Sequence, residues 1–258
     1  LQEINNNIFF GFHRLAINGL DEISHQPIVQ ENLSLICNGE IYNYKELFKN
    51  LNVTPKTNSD CEIILQTYKI LGPQCFNLLD GVFACILYDN VKNEVIVARD
   101  PYGVRPLYYY YDNDSMGFAS ELKVLYKLSS DKKTIFNFTP GSYMFIHTNR
   151  QIYNYKKYTS FPCSNIEYVV NKNLYFKLLD NIHNAVQKRV EGTSDRPIGC
   201  LLSGGLDSSL IAGMVKSFYK STTHTLETFS IGLAGSEDLK YAAIVARHLG
   251  TKHHEIIV

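Results

Sequence analysis

The sequence predicts two domains of different class: an α+β domain built on antiparallel sheets with helices packed on them, then an α/β domain with a doubly wound parallel sheet. Two observations carry this. Up to about residue 158, short runs of β-branched and aromatic residues alternate with turn signals, and two helical stretches interrupt them. Beyond residue 171 an amphipathic helical period takes over, and strand–helix–strand–helix–strand follows, the order of a parallel sheet. The polar stretch 159–171 between them reads as a linker, which sets the domains at 1–158 and 172–258.

In chain order, the first region offers strands at 32–37, 82–88, 94–98, 107–111, 117–119 and 142–147, all of strand length and composition. Asp89-Asn90, Asp112-Asn113-Asp114 and Thr139-Pro140-Gly141 mark turns between them. Helices are expected at 44–50 and at 60–71, the latter with apolar residues at 61, 64, 65, 68 and 71. In the second region Leu174, Leu178, Ile182, Ala185 and Val186 line one helix face. Then come a strand at 198–202, a helix at 207–219, a strand at 228–233, a helix at 238–248 and a strand at 254–258.

Composition narrows the function classes. With 25 basic and 25 acidic residues the chain is formally neutral, so it lacks the basic excess of a nucleic-acid binder. No apolar run reaches membrane-spanning length. Six scattered cysteines, none in a C-x-x-C pair, form no disulfide framework. The expectation is a soluble protein of the cytoplasm that binds neither membrane nor nucleic acid.

The sharpest local signal is Ser203-Gly204-Gly205-Leu206-Asp207-Ser208-Ser209, between an apolar strand and a helix. Glycines let backbone N–H groups approach an anion, serines add hydroxyls, and the helix N-terminus adds positive potential. Asp207 would repel a phosphate unless a cation sat between them, so it reads as a Mg²⁺ contact. The plainer alternative is a glycine turn with Asp207 and Ser208 as helix caps. The loop has neither the lysine of a Walker A motif nor the G-x-G-x-x-G spacing. It resembles the pyrophosphate loop of the ATP-pyrophosphatase enzymes, in the form seen in asparagine synthetases. The resemblance runs on through Thr228 to Leu233, Ser236 to Leu239, and His248 to Glu255. It implies an ATP-pyrophosphatase-type sheet and an ATP site at Leu202, Ser203, Gly204, Gly205, Leu206, Asp207, Ser208, Ser209 and Ile231. Backbone groups of Leu202 and Ile231 would hold adenine. His248, His253 and His254 are read as a helix end and a strand start, with no ligand role.

The first region carries an ordered series: Arg14-Leu15-Ala16-Ile17-Asn18, Gln26-Pro27, Asn38-Gly39-Glu40, Ser59-Asp60, Leu79-Asp80-Gly81, the run from Arg99 to Tyr108, and Ala119-Ser120-Glu121. Singly, Asn38-Gly39 reads as a turn, Arg99-Asp100 as an ion pair and Asp60 as a helix cap. Together they resemble the N-terminal-nucleophile glutaminase domain of class II amidotransferases. That resemblance implies an antiparallel αββα sandwich and a glutamine site at Arg14, Leu15, Ala16, Ile17, Asn18, Asn38, Gly39, Glu40 and Asp60. Arg14 would grip the α-carboxylate, Glu40 and Asp60 the α-amino group, and Asn38 with Gly39 would form the oxyanion hole. Arg99 to Pro106 is expected to be scaffold near the domain interface.

Taken together the resemblance implies a glutamine-dependent asparagine synthetase with ATP and Mg²⁺ as cofactors, small-molecule substrates, and a homodimer left open. It would form β-aspartyl-AMP and displace AMP with ammonia. The family nucleophile is an N-terminal cysteine, whereas residue 1 is Leu. With a final segment that reads as a strand, this sets the expectation of an internal piece of a longer enzyme, inactive alone. Two alternatives stay open: a β-lactam-synthetase-like ligase without glutaminase activity, and a non-catalytic glutamine- or ATP-binding module. An amidophosphoribosyltransferase is excluded by the loop at Ser203.

Overall fold

The computed structural model describes all residues except 6, 113–114, 130–133, 148–151, 162–171, 194 and 221–223, together with the side chains of 152–153. Residues 162–171 of the expected linker, Cys163, and two residues of the turn expected at 112–114 therefore lie outside the described residues. The chain divides into two compact units, Leu1–Ser164 and Asn165–Val258.

In the first unit the chain forms β1 (Gln2–Asn5), β2 (Ile8–Phe10), β3 (Ile28–Gln30), β4 (Leu33–Ile41), α1 (Tyr44–Leu51), α2 (Glu62–Leu71), β5 (Gly81–Asp89) and β6 (Glu94–Arg99). Then come β7 (Tyr108–Tyr111), β8 (Met116–Ala119), α3 (Leu122–Leu128), β9 (Ile135–Asn137), β10 (Ser142–His147) and β11 (Ile152–Lys157). Six strands make an antiparallel sheet in the order β11-β10-β6-β5-β4-β3, and β8-β7-β9 make a second antiparallel sheet.

The two-residue alternation along the strands separates two cores. Leu35, Cys37, Phe83, Cys85, Leu87, Ile96, Ala98, Tyr143 and Phe145 face Ile63, Ile64, Leu65 and Phe48 of the helices. Their neighbours Ala84, Val97, Met144 and Ile146 face Leu107, Tyr109, Phe118 and Phe138 around the three-stranded sheet. Helices, large sheet and small sheet therefore stack as layers, with α3 against the small sheet.

Two expectations change here. β4 does not stop at Cys37; it runs on through Asn38-Gly39 to Ile41, opposite Phe83, Val82 and Gly81. A Cβ on Gly39 would lie 2.2 Å from the Val82 carbonyl oxygen, so only glycine lets β4 and β5 close at this point. α2 starts at Glu62 rather than at Asp60, because the Asp60 carboxylate is taken by a distant partner, the Ile41 N–H. At the other end of α2, Leu71 is 37% exposed rather than core.

The second unit comprises α4 (Lys172–Gly192), β12 (Gly199–Leu201), α5 (Leu206–Phe218), β13 (Glu227–Gly232), α6 (Glu237–Leu249) and β14 (Lys252–Ile257). Its strands are parallel, in the order β12-β13-β14. That order winds in one direction; the reversal that defines a doubly wound sheet does not occur among the described strands. Only part of the expected apolar face of α4 is covered. Ile182, Val186 and Val190 join the core, whereas Leu174 and Leu178 stay exposed. No described helix is long and apolar enough to cross a membrane.

Candidate functional site

A pocket of about 200 Å³ in the first unit is lined by Arg14, Asn18, Asn38, Gly39, Glu40 and Asp60, among others. Leu15 and Ile17 line it too, so of the nine expected glutamine-site residues the structure gathers all but Ala16. Ala16 stands between two lining residues.

Strand geometry explains how β4 feeds this pocket. In an antiparallel strand, alternate residues direct their N–H and C=O groups to the same edge. Cys37 N–H points to the edge beyond β3 and donates to Gln26 Oε1 at 2.6 Å, while Cys37 C=O accepts from Gln26 Nε2 at 3.0 Å. Ile41 N–H donates to Asp60 Oδ2 at 2.7 Å. Gly39 sits between them on that same edge, so its N–H is directed to the pocket rather than to β5. Its opposite residue, Phe83, directs both backbone groups the other way, onto Asp100.

The charged groups are held individually. Arg14 Nη2 donates to the Asn18 carbonyl at 2.6 Å, and its Nη1 is buried with no hydrogen-bond partner among the described residues. Asp60 is 5% exposed, and burial, reinforced by the nearby Glu40 charge, raises its carboxyl to about 6 against the Ile41 and Asn18 bonds that favour ionisation. Glu40 Oε1 lies 3.6 Å from Arg105 Nη2, and Arg105 Nε is also buried without a partner among the described residues. The pocket thus carries two guanidinium donors awaiting an acceptor and two carboxylates, the complement of an amino-acid zwitterion.

Arg105 was expected to be scaffold, yet it forms part of the wall. What holds it is the Arg99-Asp100 pair, which is not an ordinary ion pair. The Asp100 carboxylate accepts from the N–H groups of Phe83, Tyr102, Val104 and Arg105 at 3.0–3.2 Å. The Arg99 guanidinium donates to the carbonyls of Gly103, Arg105 and Phe138 and to Asn137 Oδ1. Gln26, His13 and Ser59 also line the pocket without having been singled out as site residues. Gln26-Pro27 and Ser59-Asp60 were part of the ordered series; no local signal marked His13.

Cys37 and Cys61 reach the pocket as well, but both are buried. The contact with Cys61 and burial hold the Cys37 thiol well above its ordinary value, which is the reverse of a nucleophile's environment.

In the second unit, Ser203 to Gly205 link β12 to α5. The helix cap is Gly205, whose side chain offers nothing, so Asp207 and Ser208 are not the caps. Ser208 Oγ contacts Ser203 Oγ at 2.9 Å and donates to the Gly205 carbonyl at 3.2 Å, while Ser209 Oγ donates to the same carbonyl at 2.7 Å. Gly204 has φ +80°, and a Cβ there would lie 2.5 Å from Ala242 N. Asp207 and Ile231 are exposed; Leu202 is buried, with its N–H bonded to the Phe229 carbonyl at 2.8 Å. His248 lies in the last turn of α6, and His253 and His254 lie in β14.

Residues 3–173 match the glutamine amidotransferase domain and residues 177–258 match asparagine synthase. A probable glutamine-hydrolyzing asparagine synthetase of Schizosaccharomyces pombe is 39% identical, covering 98% of this chain and 48% of its own. The human glutamine-hydrolyzing asparagine synthetase is 37% identical over 97% of this chain and 49% of its own. Among solved structures, the glutamine phosphoribosylpyrophosphate amidotransferase from B. subtilis, complexed with ADP and GMP, matches with 20% identity and a TM-score of 0.47, covering 91% of this chain and 49% of that one. The chain spans about half the length of the curated relatives it matches. On a match covering well over half of its residues, the chain belongs to the glutamine amidotransferase domain family, followed in sequence by an asparagine synthase segment.

Proposed function

We propose that the protein makes asparagine from aspartate, with glutamine as nitrogen donor and ATP as activator. The observation that carries this is the pocket that gathers Arg14, Asn38, Gly39, Glu40 and Asp60 around one cavity. Arg14 grips the α-carboxylate of glutamine, with Leu15, Ala16, Ile17 and Asn18 forming the adjoining wall. Glu40 and Asp60 take the α-ammonium group. The Asn38 carboxamide and the Gly39 N–H donate to the oxygen of the γ-amide as it turns tetrahedral. Residues 1–158 are then a glutaminase domain of the N-terminal-nucleophile αββα type. Residues 159–171 are a linker, and 172–258 open an ATP-pyrophosphatase domain with a doubly wound sheet.

In that second domain Ser203 to Ser209 cradle the pyrophosphate of ATP, while Leu202 and Ile231 hold adenine. Among the described residues no three acidic, histidine or cysteine side chains stand close enough to hold a metal by themselves. A lone exposed carboxylate fits Mg²⁺, which binds through one or two carboxylates and the phosphates of a nucleotide. Asp207 would hold that ion, which would supply charge neutralisation for the leaving pyrophosphate. Adenylation of the aspartate β-carboxylate releases pyrophosphate; ammonia from glutamine then displaces AMP. The site is cytoplasmic and the partners are these small molecules.

The test is an assay of the purified full-length protein with glutamine, aspartate and Mg-ATP. Asparagine, glutamate, AMP and pyrophosphate should appear in equal amounts. ADP in place of AMP, or AMP without asparagine, overturns the reading. A specific observation favours a second reading for residues 1–258 in isolation: the described cysteines are all buried, so these residues bind glutamine and ATP without turnover.

A further inference from the structure

Asn38 stands on the face of the large sheet that meets the small sheet, on the same side as its cross-strand partner Ala84. Its Nδ2 donates to Ser120 Oγ at 3.3 Å. Ser120 directly follows β8 of the small sheet and is 82 residues further along the chain. The bond is therefore a product of sheet-on-sheet packing, not of local sequence, and both side chains are half-buried.

A carboxamide NH₂ has two hydrogens fixed in the amide plane. Once Ser120 Oγ takes one of them, rotation of the Asn38 amide is arrested and the direction of the other hydrogen is set. From this geometry we propose that Ser120 is a positioning residue for glutamine hydrolysis: it holds the Asn38 carboxamide so that its second N–H meets the developing oxyanion. This rests on the oxyanion role given to Asn38 above.

Preorganised donors act on the transition state far more than on the bound substrate, so the signature is a fall in kcat at nearly constant KM. Outright loss of an oxyanion donor costs about 10²–10³ in kcat. A donor that is present but unaimed costs less, so Ser120→Ala should lower glutaminase kcat about tenfold or more. Ser120→Thr, which keeps the hydroxyl, should restore it.

The experiment measures ATP-independent glutamine hydrolysis by the full-length protein carrying Asn38→Ala, Ser120→Ala, Ser120→Thr and the Asn38→Ala/Ser120→Ala pair, each checked by its melting temperature. Because Ser120 acts only through Asn38, the pair should be no slower than Asn38→Ala alone. Ser120→Cys, nearly the same shape with a weak acceptor, should fall with Ser120→Ala and separates acceptor loss from packing. An unchanged kcat in Ser120→Ala overturns the proposal, as does an equal further loss in the Asn38→Ala background. If Asn38→Ala itself leaves kcat intact, the oxyanion reading of Asn38 fails instead, and the two failures are told apart.

Discussion

Asp60 should make the folded protein less stable as the pocket becomes competent. Burial raises its carboxyl from an ordinary 3.8 to about 6. Below about 3.8 the group is neutral in both folded and unfolded chains and costs nothing. Between these values the unfolded chain ionises while the folded chain keeps its proton, so stability falls with rising pH and the loss is complete above about 6. At ~1.36 kcal/mol for each pH unit, the full loss is about 3 kcal/mol. Asp60→Asn keeps the shape and an oxygen for the Ile41 N–H but cannot ionise. The variant should match the parent at pH 4 and exceed its stability by a few kcal/mol at pH 7.5. At the same time it should lose glutamine affinity, since the α-ammonium loses a charge partner. With 18 tyrosines and no tryptophan, urea unfolding is read by tyrosine emission at a series of pH values. A gap between variant and parent that is the same at every pH, or that favours the parent as pH rises, would refute the reasoning. Parallel binding assays should show glutamine affinity of the parent falling as pH drops below about 6.

Two further outcomes follow from close contacts. Gly39→Ala places a Cβ 2.2 Å from the Val82 carbonyl oxygen and 2.6 Å from Phe83 Cα, between two backbones that cannot swing aside. It should destabilise by at least ~1–3 kcal/mol and lower the melting temperature, whereas a neutral substitution would mean that β4 and β5 are not so closely joined. Asp100→Ala removes one acceptor from four backbone N–H groups, at ~1–3 kcal/mol for each group left buried and unsatisfied. Limited proteolysis should then cut first within residues 100–105, and resistance there would show that the loop is held by something else.

Much of the large sheet was legible because its central strands are covered on both faces and read as continuous apolar runs of strand length. Ser142–His147 has the predicted bounds, and the edges of β5 and β6 move by one residue. The strands that escaped are short or lie at sheet edges: β3 and β11 flank the large sheet, and β9 flanks the small one. An edge strand makes half its ladder bonds and buries less, so its composition need not be apolar throughout. The turn from β12 into α5 was legible because the succession of strand, loop and helix is a local property of the chain. Arg105 and Ser120 were not, because their meaning lies in contacts to Glu40 and Asn38 made 65 and 82 residues away, by layers whose packing the chain order does not state. Taken singly Asp60 reads as a helix cap, since a carboxylate near a helix start is ordinarily one, and only the tertiary Ile41 N–H says otherwise.

The shared pairing of β4 and β5 has one more implication. Asn38 and Glu40 point to the pocket face only while Asn38 sits opposite Ala84, and the same frame sends Leu35 and Cys37 to the helices. Because side chains alternate with a period of two, a slip by one residue would exchange these two sets. Apolar residues would then line the cavity, and the Asn38 amide and the Glu40 carboxylate would be driven into the core. Alignment between neighbouring strands is therefore a specification that chemistry and foldability hold in common. Single-residue insertions or deletions within residues 33–41 should be forbidden, while the same changes in the turn at Asn90-Val91-Lys92 should pass unnoticed.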